Sequence, residues 1–183
     1  MDAKDVAADL DRVIVTADEI AVKTAELAAQ IDADYAGREV LLVGVLNGAV
    51  MVMSDLSRAM RSRLKMDWMA VSSYGAGTKS SGVVRILKDL TIDVLDKHVL
   101  IVEDIVDTGL TLSYLVDNLK GRGAASVEVA AMFRKPAALT TVVNVKYIGF
   151  DIPNDFVVGY GLDFNGHYRN LRDVAVLGKH MYS

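Results

Sequence analysis

Between residues 99 and 112 the chain reads VLIVEDIVDTGLTL, which places Glu103, Asp104 and Asp107 within five positions and follows them at once with Thr108, Gly109, Leu110 and Thr111. The apolar run before the acids has the composition of a buried strand that should end where they begin. Leu112, Leu115, Val116 and Leu119 then fall on one face of a helix from about Thr111, which Gly121 and Gly123 would stop. At such a strand-to-helix junction backbone N–H groups converge on the helix N-terminus, a place that favours an anion such as phosphate. Gly109 permits close backbone approach, and the two threonine hydroxyls add donors. The neighbouring carboxylates would repel a bare phosphate. Vicinal sugar hydroxyls, or a hard cation such as Mg²⁺, would satisfy them, and a phosphorylated ribose supplies phosphate and diol together. An isolated Asp-Thr-Gly is more often a capped helix start with solvated acids. The acids, the apolar strand and Thr-Gly-x-Thr in direct succession favour the site.

Such a site needs alternating strands and helices to hold it. Thr16 and Glu19 make a capping box, and Ile20, Thr24, Leu27, Ala28 and Ile31 recur at helical spacing after it. Residues 39–46, EVLLVGVL, are almost continuously apolar, as in a strand covered on both faces. The NGAVMVMSDLSRAM that follows puts Ala49, Met53, Leu56 and Met60 on one side of a helix. Residues 64–73 begin with strand-like alternation, residues 74–82 are polar and glycine-rich, and 126–133, 146–150 and 156–160 read as further strands. Strands separated by helices imply right-handed crossovers and an α/β fold. We expect a single domain over 1–183, a mostly parallel twisted sheet flanked by helices, with ligands beyond the carboxyl ends of its strands.

Composition narrows the class. The 183 residues are 52% hydrophobic with a formal net charge of −4, enough apolar content for a full core and no basic excess for general nucleic-acid binding. No cysteine occurs, which excludes a disulfide frame, a thiolate metal cage and a cysteine nucleophile, and fits a reducing compartment. His98, His167 and His180 show no metal-ligand spacing, and no apolar run approaches a membrane span. The N-terminus has acids where a signal peptide has basic residues, so the expected location is cytoplasmic.

VLIVEDIVDTGLTL resembles the phosphoribosyl-diphosphate motif of the type I phosphoribosyltransferases. The rest of the chain, through VGVLNGAVMVMSDL, SSYGAGTKSSGVVRILKDL, FRKPA and GFDIPNDFVVGYGLDFNGHYRNL, is similar to their hypoxanthine-guanine branch. The resemblance implies the type I fold with a small hood region and a mobile catalytic loop. It implies transfer of 5-phosphoribose from phosphoribosyl diphosphate to a 6-oxopurine with Mg²⁺, through a transition state like an oxocarbenium ion, in a homodimer or homotetramer.

By the same resemblance Asp107, Thr108, Gly109, Leu110 and Thr111 hold the 5-phosphate, and Glu103 and Asp104 face the ribose hydroxyls directly or through Mg²⁺. Asp107 lies near purine N7 as general base. Leu46, Asn47 and Gly48 form the diphosphate loop, where Asn47 stands in place of the lysine that many relatives carry, and Arg169 clamps the diphosphate. Lys135 donates to the oxygen at C6, Phe156 stacks on the purine and Val157 meets the base edge. Asp163 lies near the base and the Mg²⁺ that bridges diphosphate, and Ser73 and Tyr74 open the catalytic loop, whose glycines and serines run through Gly82. A regulator that senses the same sugar phosphate is the competing reading. It should carry a basic surface and could dispense with base-binding residues, whereas this acidic chain keeps Lys135, Phe156 and Asp163.

Overall fold

The two most apolar runs of the sequence lie side by side at the centre of a sheet, as strands covered on both faces must. The structure, a computed structural model, describes residues 1–73 and 84–182. In chain order its elements are β1 (Leu10–Val15), α1 (Ala17–Asp34), β2 (Val40–Leu46), α2 (Val50–Ala59), β3 (Leu64–Ser73), β4 (Val84–Lys88), β5 (His98–Val106), α3 (Leu110–Gly121), β6 (Ser126–Arg134), β7 (Tyr147–Asp151), β8 (Val157–Val158) and β9 (Val174–Leu177). Six strands form the main sheet in the order β4-β3-β2-β5-β6-β7. Only the β3–β4 pair is antiparallel within it. A second sheet, β1-β9-β8, is antiparallel throughout.

The expected capping box forms: Thr16 Oγ1 accepts from the Glu19 N–H, and the Glu19 carboxylate accepts from the Thr16 N–H at 2.8 Å. Ile20, Thr24, Leu27, Ala28 and Ile31 are the buried face of α1. With Val52, Met53 and Leu56 of α2 they cover one face of the main sheet, while Leu112, Leu115 and Leu119 of α3 cover the other. The first of these clusters continues into the small sheet through Val15, Val157, Val174 and Val176.

Three expectations need correction. Strand β5 does not stop at the acids but runs through Glu103 and Asp104 to Val106, because its parallel ladder with β6 continues to the Val106–Arg134 pair. Residues 156–160 hold only a two-residue strand, since Gly159, Tyr160 and Gly161 all take positive φ and turn the chain away. The step from β6 to β7 carries only a 3₁₀ turn, Pro136–Ala138, and not a helix. Strands β1 and β9, not expected from the sequence, pair with each other, and β9 also pairs with β8. Tyr74 and the expected loop through Gly82 lie outside the described residues.

Strand β3 is pinned from its buried side. Asp67, 4% exposed, accepts from the N–H groups of Trp68, Thr91 and Ile92 and from the Thr91 hydroxyl, so one carboxylate ties β3 to the segment entering β5. Burial alone would push this carboxyl up, but the backbone donors of Ile92, Trp68 and Thr91 outweigh it and hold it below the usual aspartate range. We predict that Asp67→Ala destabilises the protein by about 2–4 kcal/mol, because three part-buried N–H groups lose their acceptor. A depressed folded value means that the contribution is complete above the unfolded aspartate value, about 3.9, and is lost as pH falls through the folded one. Urea melts of both proteins from pH 7 downward should therefore converge in acid; a constant difference would remove Asp67 from this role.

Candidate active site

The order of the main sheet marks the place for a ligand. From β2 the chain passes through α2 to β3 on one side, then returns to β5 on the other side of β2, so β2 and β5 flank a topological switch point. Their pairing stops at Gly44–Val102, whereas β2–β3 continues to Leu46–Ala70 and β5–β6 to Val106–Arg134. Beyond Gly44 the two central strands part. The last residues of β2, with Asn47 and Gly48, line one bank of the gap, and Glu103 to Asp107 line the other.

On the β5 bank a cavity of about 160 Å³ is lined by Glu103, Asp104, Asp107, Thr108, Gly109 and Thr111, with apolar neighbours. Gly109 caps α3 with φ +82°, and a Cβ there would lie 2.7 Å from the Thr141 carbonyl oxygen, so glycine is required for both its conformation and its neighbour. The Thr108 carbonyl is held from outside by the N–H groups of Thr140 and Thr141, both at 3.1 Å. The loop is therefore strapped from behind while the first N–H groups of α3 have no partner within their own helix. Such an arrangement of free N–H groups can receive an anion.

Glu103 and Asp104 are 7% and 9% exposed, consecutive members of an interior strand. Burial, and then the neighbouring Asp104 charge, pushes the Glu103 carboxyl well above its usual value. Burial raises Asp104 as well, against the opposing N–H of Ile105 and the charge of Arg169. Two adjacent carboxylates in this setting are strained as a charged pair and are relieved by hydroxyl donors or a cation. Among the described residues no three His, Cys, Asp or Glu side chains converge as a ready metal cage. One or two carboxylates are nevertheless what Mg²⁺ takes when phosphate oxygens and water complete its shell, so the pair fits that ion as a shared ligand.

The facing bank is built from backbone. A Cβ on Gly48 would lie 1.7 Å from Asp104 Oδ2, and a Cβ on Gly161 would lie 2.1 Å from the Gly48 carbonyl oxygen. Gly48 is thus wedged between a carboxylate and a second glycine, and any side chain at either position would push the banks apart. The Leu46–Asn47 peptide is cis. Arg169 donates to the Gly161 carbonyl at 2.6 Å and pairs with Asp163 at 2.7 Å, and the other Asp163 oxygen accepts from the Gly166 N–H. Arg169 and Asp163 are therefore joined to the Gly48 loop through Gly161. Gly161 was not singled out from sequence; its signal was the Gly-Tyr-Gly of 159–161, a poor fit to the strand expected there.

Asp107 and Lys135 meet because β5 and β6 pair in register up to Val106 and Arg134. The next residues then stand side by side: the Lys135 N–H donates to the Val106 carbonyl at 2.9 Å, and Lys135 Nζ lies 3.4 Å from Asp107 Oδ2. Lys135 is nearly buried and the Asp107 side chain is half exposed. Phe156 stays 43% exposed and packs against Phe164 and Tyr182, with Val157 buried behind it in β8. Ser73 ends β3 opposite Val84.

A family model for the phosphoribosyl transferase domain matches residues 14–165. The hypoxanthine-guanine phosphoribosyltransferase of Mycobacterium bovis is 49% identical over 180 residues, covering 95% of this chain and 89% of that protein. Its counterpart in Streptococcus agalactiae is 46% identical and covers 96% and 97%. A crystal structure of a hypoxanthine phosphoribosyltransferase from Staphylococcus aureus superposes with a TM-score of 0.94 at 42% identity, covering 97% of each chain. Shared sequence across almost the whole length and a shared fold lead to one conclusion: the chain belongs to the phosphoribosyltransferase family, in its hypoxanthine-guanine group.

Proposed function

We propose that this protein transfers 5-phosphoribose from phosphoribosyl diphosphate to hypoxanthine or guanine, giving IMP or GMP and diphosphate with Mg²⁺ as cofactor, a purine salvage reaction. The observation that carries the reading is the Asp107–Lys135 pair beside the cradle of α3. A carboxylate acceptor and an ammonium donor side by side complement one edge of a 6-oxopurine, where an N7 proton and the C6 oxygen are neighbours. A 6-amino purine would set a donor against Lys135. Named relatives with this activity, aligned over nearly the whole chain, support the same reading.

In this scheme the N–H groups and hydroxyls of Thr108, Gly109, Leu110 and Thr111 hold the 5-phosphate, and Glu103 and Asp104 accept from the ribose hydroxyls or would hold the Mg²⁺. The new bond forms between ribose C1 and a ring nitrogen of the base as the bond from C1 to diphosphate breaks. Asp107 takes the proton that leaves N7, and the nearby carboxylates suit positive charge developing on the ribose. The Leu46–Asn47–Gly48 backbone and Arg169 receive the departing diphosphate, Arg169 by a bidentate grip that Asp163 orients. Mg²⁺, when bound, would supply positive charge for the leaving group, and Asp163 would be a further carboxylate to hold it. Phe156 stacks on the purine and the Val157 backbone meets its edge. Ser73 and Tyr74 begin the segment that excludes water from the activated sugar.

Val50 and Met66, each 40% exposed, line an apolar groove with Leu46 and Trp68, which supports a contact between subunits of a homodimer or homotetramer. No helix among the described residues is long and apolar enough to cross a membrane.

The direct test is diphosphate release from phosphoribosyl diphosphate with Mg²⁺ and hypoxanthine, guanine, xanthine, adenine or orotate offered separately. Turnover should appear with hypoxanthine or guanine; none with any base, alongside tight binding of the sugar phosphate, would favour a sensor instead. Asp107→Asn should lower turnover on the order of 10²–10⁴-fold while calorimetry still shows the sugar phosphate bound. Unchanged turnover would remove Asp107 from the proton transfer. Lys135→Ala should weaken the 6-oxopurine about 10- to 100-fold and the sugar phosphate much less, and equal losses would contradict the assigned contact.

A further inference from the structure

Phe156 has to offer a fixed face to a planar ligand although it precedes a strand of only two residues and is 43% exposed. Little of the main sheet can hold a ring in that position. The structure holds it with two other rings. Phe164 approaches at 5.8 Å with its plane at 87°, and Tyr182 lies at 5.3 Å, tilted by 37°. Phe164 and Tyr182 also touch each other at 6.3 Å, so the three rings close a triangle.

The backbone brings Tyr182 there. The Leu177 N–H donates to the carbonyl of Phe156 itself at 2.9 Å, and the Gly178 N–H donates to Asp9 at 2.8 Å. A 3₁₀ turn over Lys179–Met181 then reverses the chain, with the Tyr182 N–H closing onto the Lys179 carbonyl at 3.2 Å. Met181 packs into the same small cluster as Phe164. The last described residue is thereby carried back over the ring whose backbone anchors the strand before it. Tyr182 lies beyond residues 14–165, the part matched by the family model.

We propose that Tyr182 is a positioning residue for the base: with Phe164 it brackets Phe156 and fixes the ring surface on which the purine stacks. The inference rests on the reading that Phe156 stacks on the base. Offset and edge-on aromatic pairs resist rotation of a ring about its χ angles, so removing one partner lets Phe156 sample orientations that do not stack. None of the three rings lines the cavity at the end of β5, so binding of the sugar phosphate should not sense the change.

The test compares the unmodified protein with Tyr182→Ala and Tyr182→Phe in steady-state assays that vary base and phosphoribosyl diphosphate in turn. Turnover of hypoxanthine or guanine by the unmodified protein comes first, and its absence would overturn the underlying reading and this inference with it. Given that turnover, Tyr182→Ala should raise the KM for the base about three- to tenfold, with little movement in kcat or in the KM for phosphoribosyl diphosphate. Tyr182→Phe, which keeps the ring, should restore the base KM. A base KM that is unchanged or lower in Tyr182→Ala, an equal rise for both substrates, or no rescue by phenylalanine would each overturn the bracket.

Discussion

The parting of β2 from β5 beyond Gly44–Val102 is the constraint on which the site depends. Up to that pair the two strands are the best-buried part of the sheet; past it their carboxyl ends are drawn to opposite sides by the ladders with β3 and β6. The gap leaves Glu103 and Asp104 inside the protein and without a strand partner on the β2 side. Buried consecutive carboxylates are costly, and their raised affinity for protons measures that cost. A ligand that brings hydroxyls or a cation is stabilised by the same imbalance.

The two banks differ in kind. The β5 bank offers side chains and the N-terminus of α3, held from behind by Thr140 and Thr141. The β2 bank comes close through backbone at Gly48, kept narrow because Gly48 and Gly161 have no side chain to separate them from Asp104 and from each other. Oxygen-rich substrates suit such a gap: one bank presents acceptors, the other presents peptide groups and, through Gly161, the guanidinium of Arg169. The parallel register of β5 with β6 adds a third component without any loop, since it sets Lys135 beside Asp107 as a consequence of ladder geometry.

Rigidity is distributed unevenly around this centre. Asp67 fixes β3 with several donors on one carboxylate, and the clusters on both faces of the main sheet are closed by α1, α2 and α3. The small sheet is held more lightly: β8 has two residues, and its exposed Phe156 is kept in place by rings arriving from Phe164 and from Tyr182. The ring cluster at Phe156 is thus built on the small sheet, apart from the cavity at the end of β5.

Much was legible from residue order alone. The capping box at Thr16, the buried face of α1, the apolar β2 and β5 and the acids followed by Thr-Gly-x-Thr are local patterns, because helix periodicity, capping and turn chemistry act over a few residues. From them the sequence determined an α/β protein and its family resemblance. It misjudged where β5 ends, because a strand ends where its partner's ladder ends, and that partner is some thirty residues away. It missed β1 and β9, short strands that pair with each other from opposite ends of the chain, and took 156–160 for one strand although positive φ at 159–161 breaks it. The wedge of Gly48 between Asp104 and Gly161, the meeting of Asp107 with Lys135 and the three-ring cluster at Phe156 were decided by tertiary structure alone. Each joins residues far apart in the chain, and only packing, register and close approach of backbones can bring such residues together.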